Sequence, residues 1–331
     1  MSDILSQLSH SAPVQALQAR LARVRSLAPV PLSALCSVLA LAAWRLVRRR
    51  SVRRQQRAAW RDWSAVVAVV TGGASGIGHE VVQQLRARGA RVVILDLQAP
   101  REPQEGVLFL KTDVTDYDAV QQTKAAVHKH FGPVTILVNN AGVGEAGASF
   151  VNASAARLRL TVEVNLLSSF HTVKTFLPDM LTADKGHVVT IASAASFLQA
   201  PRAIDYSVSK AGVLSFHEGL RHEIALLYRR PGVLTTIVHP SWVRTPMTDH
   251  LFGVETAKKF LSPRQVAEGV VAQIDRGTSG EVYLPGYVRI LPFLRSFPHG
   301  VQDTLRLALS RGVIADLKPE LRAEMDKQPT W

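Results

Sequence analysis

The chain has 331 residues, 47% of them apolar and 20% charged, which excludes a disordered protein and a polytopic membrane protein. Its single cysteine excludes an intrachain disulfide and a cysteine-rich metal site. The net charge of +13 is concentrated in residues 1–63, which hold eleven arginines and two aspartates. Because these arginines lie beside an apolar run and are not interleaved with aromatic residues, we expect no nucleic-acid partner.

Residues 26–44 form an uncharged, mostly apolar stretch. As a helix at ~1.5 Å per residue it would be ~29 Å long, close to the ~30 Å hydrocarbon core of a bilayer. Eight arginines follow it up to Arg61 and three precede it, an asymmetry that places the C-terminal flank in the cytosol. We therefore expect a membrane anchor and polybasic flank in residues 1–63, with the rest of the protein facing the cytosol.

Three other interpretations apply to this segment. A mitochondrial address fits its many arginines and the lack of acids in residues 4–61. An ordinary helix packed on the body is a second alternative. A cleaved signal peptide is disfavoured because the apolar run starts too late.

A strand, a glycine-rich turn, a helix and a second strand follow one another from Val66 to Asp96. The run Val66–Val70 is continuously apolar and mostly β-branched, which is typical of a buried parallel strand. Such glycines let the backbone approach a pyrophosphate, and the N-terminus of the next helix would face the phosphates. The predicted phosphate-binding turn contains Thr71, Gly72, Ser75, Gly76, Ile77 and Gly78.

Asp96 closes the second strand, 18 residues after Gly78. A carboxylate there can accept hydrogen bonds from the adenosine ribose hydroxyls and would repel a 2′-phosphate. Neither Ser75 nor Leu97 offers a positive charge to that phosphate. We therefore expect NAD(H) as cofactor, with NADP(H) as the alternative. If Asp96 has no role in binding, it is simply a solvated residue at the end of a strand.

Strands and helices continue to alternate as far as residue 284. The further predicted strands cover residues 107–111, 135–138, 187–191, 234–238 and 281–284, and the predicted helices cover 79–88, 117–131, 155–177, 206–228 and 263–276. This alternation predicts an α/β fold, a Rossmann-type doubly wound parallel sheet of about seven strands. We expect it to occupy residues 64–286, followed by a C-terminal extension over residues 287–331.

The motifs in this body resemble those of the short-chain dehydrogenase/reductase family. They are Thr71-Gly72-xxx-Gly76-x-Gly78, Asp113-Val114, Asn139-Asn140-Ala141-Gly142, Asn165, Ser193, Tyr206-xxx-Lys210 and Pro240-xx-Val243-x-Thr245. The resemblance implies an NAD(P)-dependent oxidoreductase acting on CH–OH groups, with catalytic residues Asn165, Ser193, Tyr206 and Lys210. Besides the turn and Asp96, it implies dinucleotide contacts from Asp113, Val114, Asn140, Ala141, Gly142, Tyr206, Lys210, Val243 and Thr245. Two positions depart from the family pattern, Ser241 in place of glycine and Ala192 in place of serine.

Tyr206 and Lys210 are four residues apart in a predicted helix, so their side chains share a face. A free tyrosine titrates near ~10 and is a poor base at neutral pH. A neighbouring ammonium and the positive oxidised nicotinamide would lower the pKa of the phenol. We therefore expect Tyr206 to exchange a proton with the substrate oxygen, with Ser193 holding that oxygen. The resemblance implies that Asn165 holds a water linking Lys210 to solvent.

The predicted walls of the substrate pocket are apolar. Residues 246–254 and the loop containing Phe197, Leu198 and Ile204 lack a cluster of basic residues to hold a phosphate or carboxylate. We therefore expect a lipophilic alcohol or ketone. Residues 287–298 mix aromatic, aliphatic and arginine residues without an acid, so they can dock at a membrane interface, or pack on the sheet edge or a dimer partner.

The anchor and the tail resemble the membrane-associated branch of the family, with its retinol and 17-beta-hydroxysteroid dehydrogenases. This implies the membrane of the endoplasmic reticulum or lipid droplets, and it leaves a homodimer possible. We expect no metal site, because His128 and His130 are two residues apart on a helix and do not face each other. The alternatives for function are an NADP(H)-dependent keto-lipid reductase and a catalytically idle, membrane-bound nucleotide-binding scaffold.

Overall fold

The computed structural model describes residues 62–102, 104–144, 149–199 and 201–326. The predicted anchor, including the apolar stretch 26–44, lies outside these residues. Among the helices that are described, none is both long and apolar enough to cross a membrane.

Seven parallel strands form one sheet, which confirms the predicted doubly wound architecture. The strands are β1 (Val67–Thr71), β2 (Arg91–Asp96), β3 (Val107–Lys111), β4 (Ile136–Asn139), β5 (Gly186–Ile191), β6 (Val233–Pro240) and β7 (Gly280–Leu284). Their order is β3-β2-β1-β4-β5-β6-β7, so the order reverses between β1 and β4. Ligands of open α/β sheets bind outside the carboxyl ends of the strands at such a switch point.

Helices cover both faces of the sheet. They are α1 (Gly76–Ala87), α2 (Tyr117–Phe131), α3 (Ala155–Val162), α4 (Ser168–Ala183), α5 (Ile204–Glu223), α6 (Pro246–Asp249), α7 (Val254–Ala257), α8 (Pro263–Asp275), α9 (His299–Asp316) and α10 (Pro319–Asp326). The wider turns of π-helix continue α3 and α5 over Glu163–Leu167 and Ile224–Tyr228, and a 3₁₀ stretch covers Gly286–Ser296.

The core consists of two layers, one on each side of the sheet. Ala68 and Val70 of β1 pack with side chains of α1 and α8, whereas Val67 and Val69 pack with side chains of α2, α4 and α5. This division follows from the strand geometry, because successive side chains point to opposite faces. Both faces of β1 are covered, and for that reason its sequence is a continuous apolar run.

Several element boundaries differ from the predicted ones. Helix α1 begins at Gly76 rather than at residue 79, which places the end of the glycine turn inside the helix. The predicted helix 155–177 runs on to Ala183 and contains Pro178. The buried side chains of Phe176, Leu177 and Met180 hold this last part against the sheet, which offsets the hydrogen bond that proline cannot donate.

Candidate active site

The glycine turn is tied to the segment after β4 by a set of short hydrogen bonds. The Thr71 hydroxyl oxygen accepts from the backbone N–H groups of Asn140 and Ala141, at 2.9 and 3.0 Å. The Asn140 side-chain amide donates to the carbonyls of Thr71 and Gly72, both at 3.0 Å. Gly72 has a φ of +63°, in the region that favours glycine. The ends of β1 and β4 are therefore held as one frame at the switch point.

The N-terminus of α1 has the features of an anion-binding site. The Ser75 side chain makes no capping hydrogen bond, and no acidic residue lies in the first turn. A Cβ at Gly78 would lie 2.1 Å from the carbonyl oxygen of Gly72, so only glycine lets the helix approach the turn this closely. Free N–H groups and the positive end of the helix dipole fit the pyrophosphate of a dinucleotide.

Asp96 lies at the carboxyl end of β2, beside this turn. Its Oδ2 accepts from the N–H of Ala74 at 3.0 Å, and its Oδ1 accepts from the N–H of Gln98 at 3.2 Å. Each carboxylate oxygen keeps a lone pair that can accept a hydrogen bond from a ribose hydroxyl. The glycine turn thus holds the Asp96 carboxylate in place, next to the dinucleotide that the turn would bind.

The other predicted dinucleotide contacts come from two loops. Asp113 is exposed, and its Oδ1 accepts from the N–H and the hydroxyl of Thr115, at 2.9 and 2.7 Å; Val114 after it is buried. A Cβ at Gly76 would lie 3.5 Å from Cγ2 of Thr245. The structure therefore places Thr245 next to the glycine turn, with Val243 buried in the core.

Asn165 lies in the π-helical segment between α3 and α4 and is buried. Its Oδ1 accepts from the N–H of Val143 at 2.7 Å, and its Nδ2 donates to the Val143 carbonyl at 2.9 Å and to Oγ of Ser209 at 3.1 Å. A Cβ at Gly142 would lie 3.3 Å from Asn165 Oδ1 and 3.8 Å from Lys210 Nζ. Asn165 thus fixes the loop after β4 against the start of α5.

Ser193 lies just after β5, and Tyr206 and Lys210 lie in the first turns of α5. The three side chains come together at the carboxyl end of β5. The Ser193 hydroxyl accepts from the N–H of Ala195 at 3.1 Å and lies close enough to the Tyr206 phenol to influence its pKa. Lys210 Nζ donates to the Ile191 carbonyl at 2.9 Å and lies 5.7 Å from the centre of the Tyr206 ring. Burial lowers the pKa of Lys210 to about 8.

The electrostatics of Tyr206 differ from the expectation drawn from its spacing to Lys210. Burial raises the pKa of the phenol, and the neighbouring Ser193 hydroxyl lowers it by a smaller amount. The Lys210 ammonium donates to the Ile191 carbonyl, and desolvation is the largest influence on the pKa of the phenol. Tyr206 therefore holds its proton at neutral pH in this structure, which suits a group that donates a proton to a carbonyl oxygen.

Comparison with known proteins matches this arrangement to one family. The family model described as short chain dehydrogenase matches residues 66–255. The chain belongs to the short-chain dehydrogenase/reductase family. Like other members of the family, it is an NAD(P)-dependent oxidoreductase.

Several proteins of known sequence or structure are similar to this dehydrogenase. Dehydrogenase RED2 of Cochliobolus heterostrophus is 39% identical over 54% of this chain and 68% of that protein. Estradiol 17-beta-dehydrogenase 11 of Macaca fascicularis is 30% identical over 69% of this chain and 77% of that protein. The structure of Thermoplasma acidophilum aldohexose dehydrogenase has a TM-score of 0.60, 23% identity, and covers 68% of this chain and 94% of its own, which supports the fold.

This dehydrogenase has a residue behind Ser193 that the sequence analysis missed. His239, at the end of β6, is buried and its Nδ1 donates to the Ser193 carbonyl at 3.3 Å. Its ring stacks on Tyr283 of β7 at 5.0 Å and contacts Phe197 at 4.8 Å. Burial lowers the pKa of His239 to about 4, so the ring is neutral. A lone histidine before Pro240 has no spacing pattern that could have revealed it.

The predicted substrate walls are only partly beside the phenol. A Cβ at Gly144 would lie 3.1 Å from the Tyr206 ring and 3.2 Å from Met247 Sδ, so the Tyr206 ring and the Met247 thioether both pack against Gly144. Phe252, in contrast, is buried in edge-on contact with Trp242 at 4.7 Å. Phe197 is likewise buried against His239 rather than available to a substrate.

Within the described residues, no three His, Cys, Asp or Glu side chains lie together in a way that could hold a metal ion. His128, one of the two closely spaced histidines, instead contacts Asp179 at 2.7 Å.

Proposed function

We propose that this enzyme transfers a hydride between NAD(H) and a lipophilic alcohol or its carbonyl, of retinoid, steroid or fatty-alcohol type. The observation that carries the proposal is the half-buried Tyr206 side chain, which lies beside the Ser193 hydroxyl and packs, together with the Met247 thioether, against the backbone of Gly144. A proton donor, a hydroxyl that fixes the same substrate oxygen, and an apolar wall meet at this point.

The chain's residues account for the binding and proton steps. The N-terminus of α1 would hold the pyrophosphate, and Asp96 would accept hydrogen bonds from the adenosine ribose. The dinucleotide, when bound, supplies or accepts the hydride. Tyr206 gives a proton to the substrate oxygen in reduction, and in oxidation its deprotonated form takes one from the alcohol, while Ser193 orients that oxygen. Asn165 and Lys210 hold the loop after β4 and the end of β5 around the phenol.

NAD(H) is preferred over NADP(H) in this proposal because of Asp96. The carboxylate is fixed beside the glycine turn by the N–H of Ala74 and would repel a 2′-phosphate there. A lipophilic substrate is supported by the apolar surroundings of Tyr206 and by a relative whose name specifies estradiol as substrate.

We further propose that residues 1–63 attach the enzyme to the membrane of the endoplasmic reticulum or of lipid droplets, with the catalytic domain in the cytosol. The asymmetric arginines around residues 26–44 support this orientation. Attachment would place the site next to substrates that partition into lipid. The homodimer stays a prediction.

The decisive experiment compares the full chain with Tyr206→Phe, using retinol, steroid and fatty-alcohol panels with NAD and with NADP. Loss of the proton-transferring hydroxyl is expected to lower kcat by ~10²–10⁴-fold. Tyr228→Phe, at an exposed tyrosine that follows α5, serves as the matched control and is expected to retain full activity.

Three results would contradict the proposal. If Tyr206→Phe is as fast as the parent, the assigned proton transfer is wrong. A strong NADP preference would overturn the choice of cofactor. Tight dinucleotide binding without turnover of any substrate in the panels would favour the idle scaffold.

A further inference from the structure

The C-terminal part of the described chain presents large apolar side chains to solvent. In the 3₁₀ stretch Gly286–Ser296, Val288 and Leu294 are buried against the body. Tyr287, Ile290 and Phe293 point outward and are 63%, 63% and 64% exposed. Contiguous exposed apolar side chains on a folded protein mark an interaction surface.

Helix α9, which follows, turns its polar side chains toward the protein. Gln302 donates to the Phe297 carbonyl at 2.7 Å. Arg306 Nη1 donates to Gln199 Oε1 at 2.6 Å, and the Ser310 hydroxyl lies 3.4 Å from the Gln199 carbonyl oxygen. Residues 302, 306 and 310 recur every four positions, so they form one inward face of the helix.

A second stripe of α9 is apolar and exposed. Val301, Leu305 and Leu309 also recur every four residues, about 100° around the helix from the inward face, and all three are exposed. A helix on the surface of a water-soluble protein ordinarily turns its apolar stripe toward the core. This exposed stripe of α9 and the exposed side chains of the 3₁₀ stretch are together called the tail surface below.

The charges on this part of the chain identify the kind of partner. Residues 286–316 contain four arginines and two aspartates, and residues 286–298 contain no acid. Arg289 and Arg295 are exposed beside the apolar side chains. Apolar and aromatic groups can enter the boundary between headgroups and acyl chains, while neighbouring guanidinium groups reach lipid phosphates.

A second copy of the chain fits this surface less well. A two-fold interface brings each patch against itself, so the arginines of the 3₁₀ stretch would face the same arginines of the other copy. Like charges placed against each other oppose association. An anionic lipid surface supplies the opposite charge, and it also accepts the apolar side chains.

We propose that the tail surface docks on an anionic lipid bilayer, as a membrane contact separate from residues 1–63. This contact bears on the active site, because Gln199 belongs to the loop between Ser193 and Tyr206. The tail also reaches the segment after β6, since the N–H of Lys318 donates to the Leu251 carbonyl at 3.0 Å. Docking therefore sets both segments that flank Tyr206 close to the lipid.

The test uses the full chain with Cys36→Ser, labelled at Leu305→Cys with an environment-sensitive fluorophore. Vesicles of phosphatidylcholine, with and without phosphatidylserine, carry a lipid-borne quencher. We expect quenching at residue 305 that increases with the phosphatidylserine content. We expect none at a matched label introduced by Lys129→Cys, at an exposed position of α2. The variants in the tail surface described next separate its docking from attachment by residues 1–63.

A pair of variants makes the test specific. Ile290→Ser with Phe293→Ser is expected to abolish quenching at residue 305, whereas Leu226→Ser with Leu227→Ser, at side chains 70% and 71% exposed, keeps it. Three outcomes would each overturn the proposal. The first is equal quenching at residues 305 and 129, and the second is no quenching at residue 305. The third is shielding of residue 305 that depends on protein concentration in the absence of lipid. Because no dinucleotide or substrate is present, the result is separate from that for the proposed redox activity.

Discussion

Acid should destabilise this protein through His239, and the variant that reports it is His239→Asn. The Nδ1–H of His239 donates to the Ser193 carbonyl, so a second proton has to bind at Nε2. Nε2 is buried and has no hydrogen-bond partner in the described part of the chain. An added charge there would be desolvated and without a hydrogen-bond partner among the described residues, which is costly for an ionised group, and the attraction of Glu281 offsets this only in part.

The size of the effect follows from the pKa of the ring. Burial lowers the pKa of His239 from 6.5 to about 4. The unfolded chain therefore binds more protons between these two values, so stability is complete above the unfolded pKa and is lost as the pH falls toward the folded one. At ~1.4 kcal/mol per pKa unit, the loss from about pH 7 to about pH 5 is about 2 kcal/mol for this one ring.

Urea unfolding of the parent and of His239→Asn at these two pH values checks the prediction, with tryptophan fluorescence as the signal. Asparagine keeps a donor for Ser193 but has no titrating group, so the variant should lose about 2 kcal/mol less than the parent on acidification. His187 and His217 are also buried and contribute to both proteins, so only the difference belongs to His239. The same substitution at exposed His130 is the control. Equal pH dependence in the parent and His239→Asn would refute the reasoning.

Two further substitutions test the packing around the site. Gly78→Ala places a methyl group 2.1 Å from the backbone oxygen of Gly72, so we expect it to lower the free energy of unfolding by about 3 kcal/mol; a variant that unfolds like the parent would contradict this close approach. Phe252→Ala empties the contact with Trp242 and should cost about 3–5 kcal/mol in urea unfolding, whereas Phe150→Ala, at a side chain 60% exposed, should cost less than about 0.5 kcal/mol.

The sheet was predictable from the sequence because each central strand is covered on both faces. Such strands appear as continuous apolar runs, and β1 and β2 stand out for this reason. The glycine turn was predictable because positive φ at Gly72 and the close approach at Gly78 require glycine. Predictions about residues 1–61 concern a part of the chain that the structure does not describe.

Other features depend on contacts between distant parts of the chain, so local patterns do not encode them. The π-helical segment at Asn165 is held by bonds to Val143 and Ser209, which are 22 and 44 residues away. The spacing of Tyr206 and Lys210 predicts that they share a face, but it does not predict that the ammonium turns to Ile191 or how far the phenol is desolvated. Apolar character likewise could not separate Met247, beside the phenol, from Phe252 in an internal aromatic cluster.

The attachment of α9 and α10 to the rest of the protein divides the enzyme into two functional parts. The dinucleotide-binding frame is built by β1, β2 and β4, and the contacts that define it lie between residues 71 and 141. The tail instead joins Gln199 and Leu251, which belong to the two segments on either side of the phenol. Sequence change in α9 and in the segment that joins it to α10 can therefore alter substrate preference while the dinucleotide-binding frame is inherited unchanged. Specificity in such an enzyme can evolve at positions remote from the reacting groups.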